Sequence, residues 1–254
     1  MAYHAHLQPR GTPATAAIIS IRDLRTHCSS CTMRELCLPV GLPPQALKQL
    51  DEIVARRTRL VKGKSLYRAG DMFSALYAIR LGSCKTTLLS DDGREQVAGY
   101  HMIGDVIGMD GIASNRHGCN AVALEDSECC VLPFNELEDL GRRVAPLQRN
   151  LHQFLSREIA RSHGAMLQLG SMSAEQRLAA FLINLSQRYR VRGYSSTDFV
   201  LRMTRAEIGS YLGMKLETVS RLFSRFQREG LMTVRGREVK SLDLAGLRRL
   251  LGQR

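Results

Sequence analysis

The stretch Met203-Thr-Arg-Ala-Glu-Ile-Gly-Ser-Tyr-Leu-Gly-Met-Lys-Leu-Glu-Thr-Val-Ser-Arg-Leu-Phe-Ser-Arg-Phe-Gln-Arg-Glu-Gly230 decides the fold of the C-terminal part of the chain. Thr204 is placed to cap a first helix that buries Ile208 and Leu212. Gly209 is small where two helices must cross closely, and Gly213 supplies the positive φ of a tight turn. A second helix then buries Val219, Leu222, Phe223 and Phe226. Two short helices joined by a glycine turn are the layout of a helix-turn-helix. Beyond Gly230, Leu231-Met232-Thr233-Val234-Arg235-Gly236-Arg237-Glu238-Val239 alternates about a central glycine, as a wing hairpin does.

Charge supports the same reading. The 254-residue chain carries a formal net charge of +12. From Leu201 to Arg254, twelve Lys/Arg stand against five acids, a surplus of +7 in the last fifth of the chain. Clustered positive charge suggests a polyanion, nucleic acid before membrane. The exposed face of the second helix offers Glu217, Thr218, Ser220 and Arg221 to base edges. Arg grips guanine with two bonds, Glu accepts from cytosine, and Ser bonds either kind of base. Arg225 and Arg228 are better placed for phosphates, a role also open to Thr218.

Working back, Ser173 and Gln176 form a capping box ahead of the apolar helix 173–190. Before it, residues 144–170 carry one apolar stripe of Val144, Leu147, Leu151, Leu155, Ile159, Met166 and Leu169, with Arg142, Arg149, Arg157 and Arg161 opposite. Six turns of a single narrow stripe predict a dimer seam through Leu147, Leu151, Leu155, Ile159 and Met166. Ser162 and His163 weaken the seam where Ile159 hands over to Met166. Between about 57 and 134, short β-prone runs are separated by Gly and Asp-Gly turns, which predicts a compact barrel or roll. Residues 43–55 predict a short amphipathic helix.

The segment Thr26-His27-Cys28-Ser29-Ser30-Cys31-Thr32-Met33-Arg34-Glu35-Leu36-Cys37 puts three thiols into ten residues, spaced C-x2-C-x5-C. Three thiolates are one short of a closed zinc site or a cubane iron–sulfur cluster. The candidates for the fourth ligand are Cys84, Cys119, Cys129 and Cys130, with His27 and His101 as outsiders. Cys129 and Cys130 are adjacent in a strand and point to opposite faces, so only one of them should reach a shared centre. Seven cysteines, an odd number, and the lack of a signal peptide or an apolar run of membrane-spanning length predict a reducing, cytoplasmic setting with metal or redox chemistry. Scattered histidines and the lack of a phosphate loop or nucleophile elbow argue against an enzyme.

Taken together, His27-Cys28-x2-Cys31-x5-Cys37, Leu76-Tyr77-Ala78-Ile79-Arg80, Gly104-Asp105, Leu132-Pro133-Phe134, Glu175-x-Arg177-Leu178-Ala179-Ala180-Phe181 and Glu217-Thr218-Val219-Ser220-Arg221 resemble the CRP/FNR superfamily, and within it the FNR-type oxygen sensors. The resemblance covers about residues 21–245. It implies an α+β chain: a flexible arm (1–20), a cysteine-rich segment (21–40), a β-roll sensory domain like those that bind cyclic nucleotides (41–143), a dimerisation helix (144–171) and a winged helix-turn-helix domain (172–254). It also implies that Cys28, Cys31, Cys37 and Cys130 hold an oxygen-labile [4Fe-4S] cluster. It implies that Glu217, Ser220 and Arg221 read an inverted-repeat operator in double-stranded DNA, bound by a homodimer. The loop Asp91-Asp92-Gly93-Arg94-Glu95-Gln96 resembles the surface through which family members touch RNA polymerase; an ordinary Asp-Gly hairpin turn fits the same residues equally well. Cyclic nucleotide is not expected. The relatives that bind it have a Glu after the Gly-x-x-Gly turn and an Arg-Ser pair, whereas here Met109 follows Gly108 and the later stretch reads Arg116-His117-Gly118-Cys119. The competing expectation is a structural zinc or a thiol-redox centre on the same DNA-binding scaffold.

Overall fold

The computed structural model describes residues 27–54, 56–89 and 93–252. The expected arm (1–20), the start of the cysteine-rich segment and Asp92 lie outside the described residues.

Two short 3-10 turns carry the N-terminal cysteines and lead into α1 (Pro44–Ile53). Then come β1 (Arg56–Leu60), β2 (Ser65–Tyr67), β3 (Ala75–Leu81), β4 (Ser83–Leu89), β5 (Glu95–Met102), β6 (Val106–Ile107), β7 (Asn120–Ala123) and β8 (Ser127–Pro133). These strands form two four-stranded antiparallel sheets, ordered β1-β8-β3-β6 and β2-β7-β4-β5. The two sheets enclose a small core of Leu60, Ile79, Cys84, Ala121 and Cys129. β8 lies between β1 and β3, with Cys130 opposite Arg57 and Ala78, and Cys129 opposite Thr58 and Ile79.

The outer face of the first sheet is covered by α1, α2 (Phe134–Arg143) and the first half of α3 (Ala145–Ser171) over a second core that includes Leu38, Leu50, Leu76, Leu132 and Leu140. At 1.5 Å per residue, the 27 residues of α3 span about 40 Å. Its two ends differ. Leu147 is only 1% exposed and belongs to this protomer's own core, and Leu151 packs against the same cluster. Leu147 is therefore a core residue and not, as the sequence stripe suggested, part of a seam: the stripe runs on continuously while the covering of the helix ends partway along it. Further along, Ile159 is 58% and Met166 70% exposed.

α4 (Ala174–Val191) starts with the expected capping box, Ser173 Oγ accepting from the Gln176 amide and Gln176 Oε1 from the Ser173 amide. β9 (Phe199–Val200), α5 (Arg205–Leu212), α6 (Leu216–Arg228), β10 (Thr233–Arg235), β11 (Glu238–Lys240) and α7 (Leu244–Leu250) complete the C-terminal domain. β9 adds a third strand to the wing hairpin. The third core joins Leu178, Leu182, Ile208, Val219, Phe223 and Phe226 of this domain to Val97, Tyr100 and Met102 of the roll. The C-terminal domain is thus docked on the β4–β5 face by shared apolar burial, the dominant favourable term in such contacts.

Candidate functional site

One pocket is lined by Cys28, Cys31, Cys37 and Cys130 together with Leu38, Leu50, Ile79, Arg80 and Leu132. Local turns bring the first three thiols there. The Cys31 amide donates to the Cys28 carbonyl and the Cys37 amide to that of Arg34. Ser29 fixes the segment to α1 by donating its hydroxyl to Asp51 at 2.6 Å. Gly104 allows the segment to lie close on the roll: its φ is +87°, and a Cβ there would stand 2.9 Å from Leu36 Cβ.

Strand alternation supplies the fourth thiol. Cys130 faces the pocket, whereas Cys129 is fully buried on the other face of β8, inside the roll with Cys84. A hydrogen bond with Cys84 and burial together push the Cys129 thiol up. Cys119 lines a different cavity and lies 3.4 Å from Asp110 Oδ2; burial first, then Asp110, pushes it up to about 12. His27 sits at the pocket rim, 3.7 Å from Asp51. His101 lines the Cys119 cavity instead, with Thr86 Oγ1 3.1 Å away; burial lowers it to about 3, so it is neutral.

The pocket is apolar, and its thiols act on one another. Burial raises Cys28, and the other three add to the rise; burial pushes Cys37 up to about 12. Cys130 is also raised by burial, with Arg80 and Arg57 pulling it back and Cys31 raising it further. Four half-buried thiols on one apolar pocket need a multiply charged cation to be stable as thiolates. Among the described residues, no three His, Cys, Asp or Glu side chains stand close enough to hold one metal ion. Four cysteine thiols lining one pocket are a donor set that either a tetrahedral zinc or an iron–sulfur cluster can use.

The segment is also tied to the long helix. Asn150, 8% exposed, donates its amide to the Leu38 carbonyl at 2.9 Å and to the Val40 carbonyl at 2.7 Å. This residue was missed in the sequence, although one buried-side Asn within an apolar helical stripe is a signal of a specifying polar contact.

The helix-turn-helix is built as its sequence predicts. Thr204 accepts from the Glu207 amide and Glu207 reaches back to the Thr204 amide at 2.7 Å. A Cβ on Gly209 would stand 2.6 Å from the Met214 carbonyl, and Gly213 has φ +63°. Arg177 braces the turn by donating to the Leu212 carbonyl at 2.8 Å. On α6, Glu217, Ser220, Arg221 and Arg228 are exposed and Thr218 is half-buried. Arg225 is already engaged, by Glu229 at 2.7 Å and Glu175 at 3.0 Å. Gly93, Arg94 and Glu95 are exposed at the turn between β4 and β5, with Gly93 at φ +77°.

A β-roll, a long helix and a winged helix-turn-helix together make the architecture of a transcription regulator rather than an enzyme. The chain belongs to the CRP/FNR family of transcription regulators: the Crp-like helix-turn-helix domain matches residues 176–250 and the cyclic nucleotide-binding domain matches 57–143. It is 51% identical to the transcriptional regulatory protein btr of Bordetella pertussis, covering 89% of this chain and 94% of that one. It is 42% identical to the anaerobic regulatory protein of Haemophilus influenzae, covering 89% and 88%. The structure of FixK2 from Bradyrhizobium japonicum matches with a TM-score of 0.71 at 27% identity, covering 77% of this chain and 96% of that one. Among the described residues no helix is long and apolar enough to cross a membrane.

Proposed function

We propose that the chain is an oxygen-responsive regulator in which Cys28, Cys31, Cys37 and Cys130 hold a [4Fe-4S] cluster. The observation that carries the reading is the convergence of these four thiols on one apolar pocket while Cys129 turns away from it. The anaerobic name of a 42% identical relative points the same way. When bound, the cluster supplies a four-thiolate tie that reaction with oxygen removes. The chain's own residues pass the state of that tie onward. Cys37 is followed by Leu38 and Val40, whose carbonyls are held by Asn150 on α3. A docked segment thereby fixes the helix whose far half exposes Ile159, Met166 and Leu167, an apolar face for a second copy of the chain. A ligand shifts such an equilibrium only by its differential affinity for the two arrangements, so the docked segment must favour the paired helix.

Pairing two copies sets two α6 helices against one face of double-stranded DNA. Half-sites about 34 Å apart, one helical turn, fit an inverted-repeat operator. Glu217, Ser220 and Arg221 read bases, with Thr218 at the edge of the same surface; Arg228 meets phosphate. A phosphate contact by Arg225 would replace its ion pairs with Glu175 and Glu229. The exposed Gly93–Glu95 turn is offered to RNA polymerase. Cyclic nucleotide is a poor occupant: the 650 Å³ cavity between roll and helix is lined by Asp110 and Glu158 and, among the described residues, by no arginine.

Anisotropy of a labelled inverted-repeat duplex tests the reading, with protein prepared without oxygen and again after air. The expected outcome is binding at least about tenfold tighter without oxygen, with Cys31→Ala weak under both conditions. Equal affinity before and after air, or full affinity in Cys31→Ala, would contradict it.

A further inference from the structure

A second cavity, of about 230 Å³, lies where the roll, α3 and α4 meet, and it is basic. Arg157 and Arg161 reach it from α3 and Arg188 and Arg192 from α4, while Asp105 and Glu158 are the acids in its wall. Four guanidiniums against two carboxylates leave a surplus of +2. Internal pairing does not remove that surplus. Arg188 and Arg192 share the single carboxylate of Asp105, Arg192 at 2.9 Å. Arg161 reaches Glu158 at 2.9 Å. Arg157 has no carboxylate partner among the described residues: its Nε donates to the Gln153 carbonyl and its guanidinium lies over the Phe154 ring. The Nε of Arg188 is buried without a hydrogen-bond partner among the described residues. Burial lowers Arg192 against the pull of Asp105, and the neighbouring Arg188 lowers it further.

We infer that this cleft binds a small phosphate-bearing molecule. The planar forks of Arg157 and Arg161 are suited to grip two oxygens of one phosphate, a geometry in which arginine exceeds lysine. The volume is below the range of about 300–1,000 Å³ typical of pockets for drug-sized ligands, so a phosphate with a few carbons fits better than a nucleotide. Leu36, between Cys31 and Cys37, lines the same cleft, so the occupant touches the thiol segment, the long helix and the DNA-binding domain's first helix at once. The inference stands on this cleft alone and does not depend on what the thiols hold.

Isothermal titration of the full-length protein with inorganic phosphate, against chloride at matched ionic strength, tests it. Saturable uptake is expected, weakened about tenfold or more in R157Q/R161Q and weakened to a lesser degree in R157K/R161K, which keeps the charge but loses the fork. Because the recognition helix is also basic, R221Q/R228Q serves as the competing arm and should keep the uptake. Thermal unfolding of each variant reports that it is folded. No saturable uptake by the unaltered protein, or uptake lost in R221Q/R228Q and kept in R157Q/R161Q, overturns the inference.

Discussion

Replacing Asn150 by Ala should loosen the thiol segment without touching a thiol. In the folded protein the Asn150 amide satisfies two backbone carbonyls, those of Leu38 and Val40, at 2.9 and 2.7 Å. Leaving a buried carbonyl unpartnered costs about 1–3 kcal/mol. One of the two bonds is buried and the other part-buried, so the total cost is about 2–4 kcal/mol. At 1.4 kcal/mol per decade, the opening equilibrium of the segment rises by roughly 30- to 1,000-fold. The amides of Val40 and Leu42 report this opening, because they donate to the Cys37 and Pro39 carbonyls inside the segment. Hydrogen exchange followed by mass spectrometry over residues 36–42 should therefore accelerate by at least about 30-fold in Asn150→Ala, with the roll strands β3 and β8 little changed. A change under about threefold across 36–42 would refute the idea that Asn150 couples the segment to α3.

Other outcomes follow from the same geometry. Cys130→Ala should abolish iron retention, whereas Cys129→Ala should keep it and lower stability by about 1 kcal/mol through a small cavity in the roll; iron content and thermal unfolding distinguish them. Arg221→Ala should cost about 1–3 kcal/mol in operator affinity and relax the preference at one base position, while Arg228→Ala should weaken all sequences alike and reduce the salt slope by about one. Burial alone would raise Asp105, but Arg188 and Arg192 overcome it and hold its carboxyl below the ordinary carboxylate range. A depressed folded-state value means this clamp contributes at neutral pH and is lost as pH falls below about 4. Asp105→Asn should accordingly lower the melting temperature at pH 7 and flatten its decline in acid.

Local chemistry made much of this molecule legible in advance. The caps at Ser173 and Thr204, the glycines at 209 and 213, and the apolar spacing of α5 and α6 each act within a few residues, so the sequence displays them directly. Alternation likewise separates Cys129 from Cys130, since adjacent strand residues face opposite ways. What escaped was long-range. Asn150 meets Leu38 from 112 residues away, and Arg188 meets Asp105 from 83. No periodicity encodes such pairings. Leu147 misled because a stripe that covers a core and a stripe that faces a partner have the same spacing, and only the position of α1 and α2 tells them apart. The helices α2 and α7 and the strand β9 are short, and their burial depends on neighbours brought in by the fold.

The most direct test of the central claim is an absorption spectrum with iron and sulfide content, taken on protein purified without oxygen and again after air. The account predicts a brown protein with about four iron and four sulfide per chain, whose visible absorption bleaches in air. A colourless protein containing one zinc per chain and indifferent to air would contradict it.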